Sequence, residues 1–166
     1  FVGFTSELFT LVYDMSTNVW HERESLVTGK LQNTETLRCR YNELLQAYGR
    51  VLAADSIDGR IGELSSKVYK EYSEALRMSF TTATIFDNGA PFSIPWVEAF
   101  CQPGVGNRDK QEPVVNIRVS RDGYIFGDYK KVNIGRVGQY KKRQVIRHWG
   151  RFPRFAIFEA VISDPV

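Results

Sequence analysis

The chain has 166 residues, 43% of them apolar and 25% charged, with a formal net charge of +3. That length carries one domain or two small ones with a real core, and that mixture excludes a disordered chain. No apolar run approaches the roughly 20 residues that cross a bilayer as a helix.

The opening FVGFTSELF begins with Phe1 and lacks the basic segment of a signal peptide, so Phe1 reads as an internal cut in a longer chain. Leu8 to Asp14 (LFTLVYD) alternates, Met15 to Asn18 supplies turn residues, and Val19 to Glu24 (VWHERE) alternates again. This is a hairpin with a four-residue loop. Val27 to Thr36 is polar and reads as a loop. From Leu37 to Leu64 two readings compete. Leu37, Tyr41, Leu44, Leu45, Tyr48 and Leu52 fit a helical face. Gly49, Gly59 and Gly62 argue instead for short strands at Arg50 to Asp55 and Arg60 to Leu64, because each glycine weakens a long helix by about 1 kcal/mol. Strands are the preferred reading. Ser65 to Ala75 is a short helix or a polar crossover, with Val68 and Tyr72 one helical turn apart.

Beyond Leu76 the β signal is cleaner. LRMSFTTATIF is β-branched and aromatic, and Asp87-Asn88-Gly89 turns. PFSIPWVEAF is a strand whose Pro91 and Pro95 push it to an edge or a bulge. Gln102 to Pro113 is a loop by composition. Pro113 to Ser120 alternates, with Val115, Ile117 and Val119 on one face, and Arg121-Asp122-Gly123 turns into a strand at Tyr124-Ile125-Phe126. The last two strands are Tyr140 to Trp149 and Phe155 to Ser163, the latter apolar on both faces and stopping at Asp164-Pro165. The predicted architecture is all-β with antiparallel sheets: a propeller-blade-like unit over 1–64, a crossover over 65–75, and a β-sandwich or meander over 76–166. Cys39 and Cys101, too few for a disulfide scaffold, are expected to be free thiols buried in the fold.

Charge is strongly segregated. Between Lys130 and Arg154 there are nine Lys or Arg and no carboxylate, leaving 13 basic against 19 acidic residues elsewhere, a balance of −6. On a regular strand Lys141, Arg143 and Arg147 share one face, with Lys142 and His148 on the other. The candidate surface is therefore Lys130, Lys131, Lys141, Lys142, Arg143, Arg147 and Arg151, with Arg154 at the following turn. It suits a phosphate backbone or an acidic protein patch. A solvated strand face, paired with Glu98, Glu112 or Asp128, is the plainer alternative.

Catalytic and metal-binding patterns are weak. His21 and His148 stand apart from each other and from either cysteine, so no metal site is expected. Asp55-x-x-Asp58-Gly59 is a fragment of a calcium loop that reads better as a turn. Gly104-Val105-Gly106 lacks the strand-turn-helix setting of a phosphate cradle. The sharpest enzymatic idea is a small nuclease using Arg143, Arg147, His148 and Glu159. A propeller-derived protein- or glycan-binding module, with Trp20 or Trp96 in a shallow pocket, is the other alternative.

Two segments resemble known proteins. LVYDMSTNVWHERES resembles the paired strands of propeller-like blades. GRVGQYKKRQVIRHWGRFPRFAIFEAVISDPV is similar to the end of the packaged-DNA stabilisation proteins of short-tailed phages, also called tail accessory or tail hub proteins. Gly135, Gly138, Tyr140, Arg143, Gly150, Arg154, Phe158, Glu159, Ser163, Asp164 and Pro165 carry the likeness, and VNIRVSRDGYIFG matches the family's strand, Asp-Gly turn and strand. Gln139 departs from an acidic position of the family, and Tyr124 follows Gly123 directly where the family has a more Gly-rich turn and a Trp. The resemblance implies a ring of copies below the portal and adaptor proteins. Such a ring closes the channel after genome packaging and supports the tail needle and tailspikes. It implies no catalysis and no cofactor. It also implies a place in the virion tail after synthesis in the host cytoplasm, with the basic block facing packaged DNA or an acidic partner.

Overall fold

The computed structural model describes residues 2–5, 9–28, 34–65, 67–104 and 112–163. They form sixteen β-strands and no helix, all paired antiparallel. The chain divides into two compact units, residues 1–76 and 77–166.

In the first unit β1 (Val2–Thr5), β2 (Thr10–Asp14), β3 (Val19–Thr28) and β4 (Thr34–Arg38) form a four-stranded up-and-down sheet. The expected hairpin is β2–β3, closed by the four turn residues 15–18. Asp14 ties the turn by accepting from the Ser16 N–H and hydroxyl. The stretch expected as a loop from Val27 to Thr36 instead lengthens β3 and starts β4, with Thr28 opposite Thr34; its centre, residues 29–33, lies outside the described residues.

β5 (Tyr41–Ala47), β6 (Arg50–Asp55) and β7 (Ile61–Glu63) form a second, three-stranded sheet. The helical alternative over Leu37 to Leu52 is thereby overturned. Its apolar spacing is a coincidence of adjacent residues: Leu44 and Leu45 point to opposite faces of β5, and both are exposed. Tyr48 and Gly49 link β5 to β6 with φ of 54° and 72°, the paired positive angles of a type I′ turn. The short helix considered for 65–75 is replaced by a tight hairpin of β8 (Lys70–Glu71) and β9 (Glu74–Ala75).

Among the described residues of this unit, polar side chains (Thr10, Ser25, Arg40, Asp55) are buried alongside Val12, Cys39 and Ala53. Arg40 and Asp55 form a buried ion pair at 2.6 Å. Asp55 also accepts from the Ile57 and Asp58 N–H groups, and the Arg40 N–H donates to the buried Ser25 hydroxyl. Tyr72, at the tip of the β8–β9 hairpin, sets its ring 4.7 Å from the Arg40 guanidinium and 3.8 Å from that of Arg60. Facing guanidiniums and an aromatic face is a favourable cation–π arrangement, and it explains why this segment turns back.

The second unit is a two-layer sandwich. One layer is five-stranded: β10 (Met78–Thr81), β16 (Phe155–Ile162), β13 (Val114–Ser120) and β14 (Lys130–Asn133) in that order, with β11 (Ile85–Phe86) also paired to β16. The other is the ribbon of β12 (Phe92–Glu98) and β15 (Val145–Phe152). Val115, Ile117 and Val119 of β13 and Ala156, Phe158, Ala160 and Ile162 of β16 face inward, as alternation requires. Trp149 crosses between the layers, meeting Phe158 edge to face at 5.0 Å, while Phe152 stacks on Phe92 at 5.5 Å. The Trp149 indole N–H donates to the Ile146 carbonyl at 3.1 Å, so its one polar atom is satisfied.

Two expected strands are corrected here. Tyr124 to Phe126 is not a strand but a loop, because Asp122 accepts from the Tyr124 and Ile125 N–H groups and so occupies donors that a ladder needs. The strand placed at Tyr140 to Trp149 starts at Val145 and continues to Phe152, so Tyr140 to Arg143 lie in a turn. The bulge expected near Pro95 is present: between Ile94 and Trp96 the partner strand advances from Gly150 to Arg147, one residue more than β12. His148 and Gly150 take φ of 63° and 84° to absorb it.

Removing the cross-layer contact by Trp149→Ala is expected to lower the unfolding free energy by about 3–5 kcal/mol. Urea unfolding checks this, and a loss below about 1 kcal/mol would show that the layers do not depend on it. A second expectation concerns acid. The Arg60 guanidinium beside Asp58 holds its carboxyl down at about 2. Its folded value lies below the unfolded one, so its contribution is present above about pH 4 and is lost as pH falls toward about 2. Asp58→Asn should flatten the acid limb of a stability–pH profile in that window and leave its neutral shape otherwise intact.

Candidate functional site

The basic block is not one surface of equivalent charges. Its members are divided by what the fold asks of each. Lys130, on β14 opposite the inward-facing Ile117, reaches across to β15. Its ammonium donates to the Arg147 and His148 carbonyls at 3.1 and 2.7 Å and sits 4.4 Å from the centre of the Trp149 ring. Lys130 therefore braces the bulge. Arg143 grips Glu98 with both arms, at 2.8 and 2.6 Å, and this pair holds the Glu98 carboxyl below the usual carboxylate range. Arg136 pairs with Glu112 through its Nε alone. Two of the acidic partners anticipated from sequence are thus in place.

The remaining cations keep their charge available. Lys142 donates to the neutral side-chain carbonyl of Asn133 at 3.1 Å. Lys131, Lys141, Arg147 and Arg151 are exposed and form no ion pair among the described residues. Because Lys141 to Arg143 lie in a turn, the predicted sharing of one strand face by Lys141, Arg143 and Arg147 does not hold. Arg147 and His148 are both exposed, since the bulge puts two consecutive residues outside.

The turn containing Lys141, the end of β12 and the segment after it flank an open groove of about 570 Å³, lined by Glu98, Phe100 to Pro103 and Tyr140 to Gln144. Its base is braced. Gln144 is buried and donates to the Ile134 and Lys142 carbonyls, both at 2.8 Å, while the Ala99 N–H donates to the Gln144 carbonyl at 3.0 Å. Tyr140 lies against Gly104, where a Cβ would stand 2.9 Å from its ring and where φ is +80°. Only glycine meets both conditions. Phe100 and Tyr140 stand exposed at the rims. Sequence reading missed this groove. Its only local sign is Tyr140 beside the lysine pair, Phe100 being distant in sequence.

The nuclease arrangement is not assembled. Glu159 is committed to Arg118, which holds its carboxyl below the ordinary value, and it also accepts from the Tyr129 hydroxyl at 3.1 Å. Arg143 is committed to Glu98, and His148 projects from the other layer of the sandwich. The calcium-like Asp55 and Asp58 face guanidiniums of Arg40 and Arg60 instead of a cation site. No group of three or more His, Cys, Asp or Glu placed to hold a metal occurs among the described residues. Gly106 and the Asp164-Pro165 stop lie outside them. Cys39 is a buried free thiol as expected; Cys101 is free but only part-buried, and burial raises its pKa. Trp20 and Trp96 are half-exposed, Trp20 packing on Tyr13 at 5.0 Å, and neither lines the groove. No helix among the described residues is long and apolar enough to cross a membrane.

The division of labour is testable. Lys130→Met keeps an apolar stem over Trp149 but deletes both hydrogen bonds, and is expected to cost about 1–2 kcal/mol of stability. Lys131→Met on the same strand should stay within about 0.5 kcal/mol of the parent. Parallel thermal unfolding of the two variants checks the contrast.

No curated protein matches the chain. Residues 77–166, the whole of the sandwich unit and more than half of the chain, match the family described as Bacteriophage P22 Gp10, beta-sandwich. The two-layer antiparallel architecture is that of the family's description, and the chain belongs to this family of structural proteins of the phage tail.

Proposed function

We propose that the protein is part of a tail hub that closes the portal channel after genome packaging, stabilises the packaged DNA and supports attachment of the tail needle and tailspikes. The family match over the sandwich is the observation that carries this reading. On it, the protein works through interfaces: copies made in the host cytoplasm assemble as a ring below the portal and adaptor proteins and remain in the virion tail. A closed ring multiplies one modest interface by its symmetry. The up-and-down sheet of β1 to β4 has the connectivity of a propeller blade, which supports a propeller-derived first unit.

Charge supports a role near DNA or an acidic neighbour. Lys131, Lys141, Arg147 and Arg151 retain charges that no carboxylate among the described residues neutralises. Surface charges of this kind steer association and weaken with salt. Lys130 and Arg143 are set aside, because their side chains serve the fold.

The test is a virion carrying Lys131→Glu, Lys141→Glu, Arg147→Glu and Arg151→Glu together. The purified chain should fold normally, while particles should assemble poorly or lose their genome, read as a fall in encapsidated, nuclease-protected DNA. Normal particles with full genomes would remove the basic residues from this role. Absence of the protein from purified virions would remove the hub reading altogether.

A further inference from the structure

We propose that the groove between the segment after β12 and the Tyr140–Gln144 turn docks a polypeptide segment that carries carboxylates on both sides of an aromatic or apolar side chain. This names the chemistry of one partner of the hub. It rests on the hub reading for the partner's being another virion protein, while the groove is argued from its own geometry.

Two chemistries meet there. Lys141 and Lys142 supply positive charge that no carboxylate among the described residues offsets. Phe100, 93% exposed, and Tyr140, 69% exposed, supply aromatic surface on the opposing rims. Exposed aromatics beside unneutralised cations are the features of an interface anchor rather than of a solvated turn. The site is built before any ligand arrives. Buried Gln144 pins the turn from beneath, the Gly138 N–H donates to the Gly104 carbonyl at 3.3 Å, and Tyr140 rests on Gly104. Little ordering cost is left to binding. The volume of about 570 Å³ suits a few residues of extended chain.

A polypeptide fits better than a nucleic acid strand. The guanidinium that would grip a phosphate bidentately, Arg143, is already bound on both arms to Glu98. Two separate ammonium groups beside an aromatic rim match discrete carboxylates flanking an apolar side chain.

The probe is a fluorescent synthetic peptide with one phenylalanine flanked on both sides by aspartates, titrated by anisotropy against the whole 166-residue chain. Controls replace the aspartates by asparagines, or the phenylalanine by alanine. Binding should weaken by about tenfold with either control peptide and with Lys141→Glu or Phe100→Ala, the loss expected for one charge-assisted or anchoring contact. Arg151→Glu, outside the groove, should leave it unchanged. Near-ultraviolet circular dichroism confirms that each variant is folded, and Lys141→Gln offers a milder change if the charge reversal misfolds. Equal binding of all peptides, or indifference to the groove variants, overturns the proposal. So does a short oligothymidine that displaces the peptide at equal charge concentration, since the groove would then be a general polyanion site. None of these outcomes depends on ring assembly, so a failed groove and a failed hub reading are told apart.

Discussion

In a regular strand buried side chains recur at every second residue; in β15 they recur at every third, at Ile146, Trp149 and Phe152. The extra residue opposite Ile94 and Trp96 makes this possible, and the sandwich depends on it. Without the bulge, Trp149 would face out whenever Ile146 and Phe152 faced in. Its contact with Phe158, beside that of Phe152 with the same ring, joins the ribbon to the larger sheet. A β-strand residue other than glycine held at positive φ, such as His148, costs about 1–2 kcal/mol. The Lys130 ammonium, donating to the carbonyls of Arg147 and His148 and lying over Trp149, offsets part of that cost. One basic residue thus belongs to the core's geometry rather than to any partner.

The first unit solves the same problem with different means. Its buried side chains centre on Arg40 and Asp55, and a buried ion pair repays its desolvation only when every remaining donor and acceptor is engaged. Here Ile57 and Asp58 donate to the second Asp55 oxygen, Asp58 takes another arm of Arg40, and Tyr72 covers the guanidinium. Removing one partner from such a network leaves a buried charge alone, so its members stand or fall together. Meanwhile Leu44, Leu45, Tyr48 and Ile61 remain exposed. This unit buries a polar network and leaves several apolar side chains exposed.

Where alternation is undisturbed, the sequence was readable. β13 and β16 carry their inward residues at every second position, and the β2–β3 hairpin follows its turn residues. Reading failed where a side chain captured the backbone or a bulge changed the period. Asp122 converts an apparent strand at Tyr124 into a capped loop. The third-residue spacing of β15 breaks strand alternation, so a strand read from the sequence begins several residues early and takes in Lys141 to Arg143. Composition identified the basic block, but only the fold distinguishes a charge that braces, such as Lys130, from one that is neutralised, such as Arg143, and one that is free, such as Lys141. The groove joins Phe100 to Tyr140 through a turn that no local pattern announces.

The candidate surfaces of the sandwich therefore lie on turns, and turns are ordinarily poor platforms because ordering them on binding costs entropy. These turns are ordered in advance. Asp122 holds the tip that displays Tyr124 and Ile125, accepting from their own N–H groups, and the Ser120 hydroxyl is fixed between Asp122 and the Gly123 N–H. Gln144 does the same for the Lys141 turn from below. Polar side chains that bond back to their own loop, such as exposed Asp122 and buried Gln144, add little to the core, yet they fix where an exposed aromatic points. In the proposed ring the same contact would be repeated at every subunit, and any reduction in its ordering cost with it. That is a physical reason for a structural protein to hold hydrogen bonds in loops that its own core does not require.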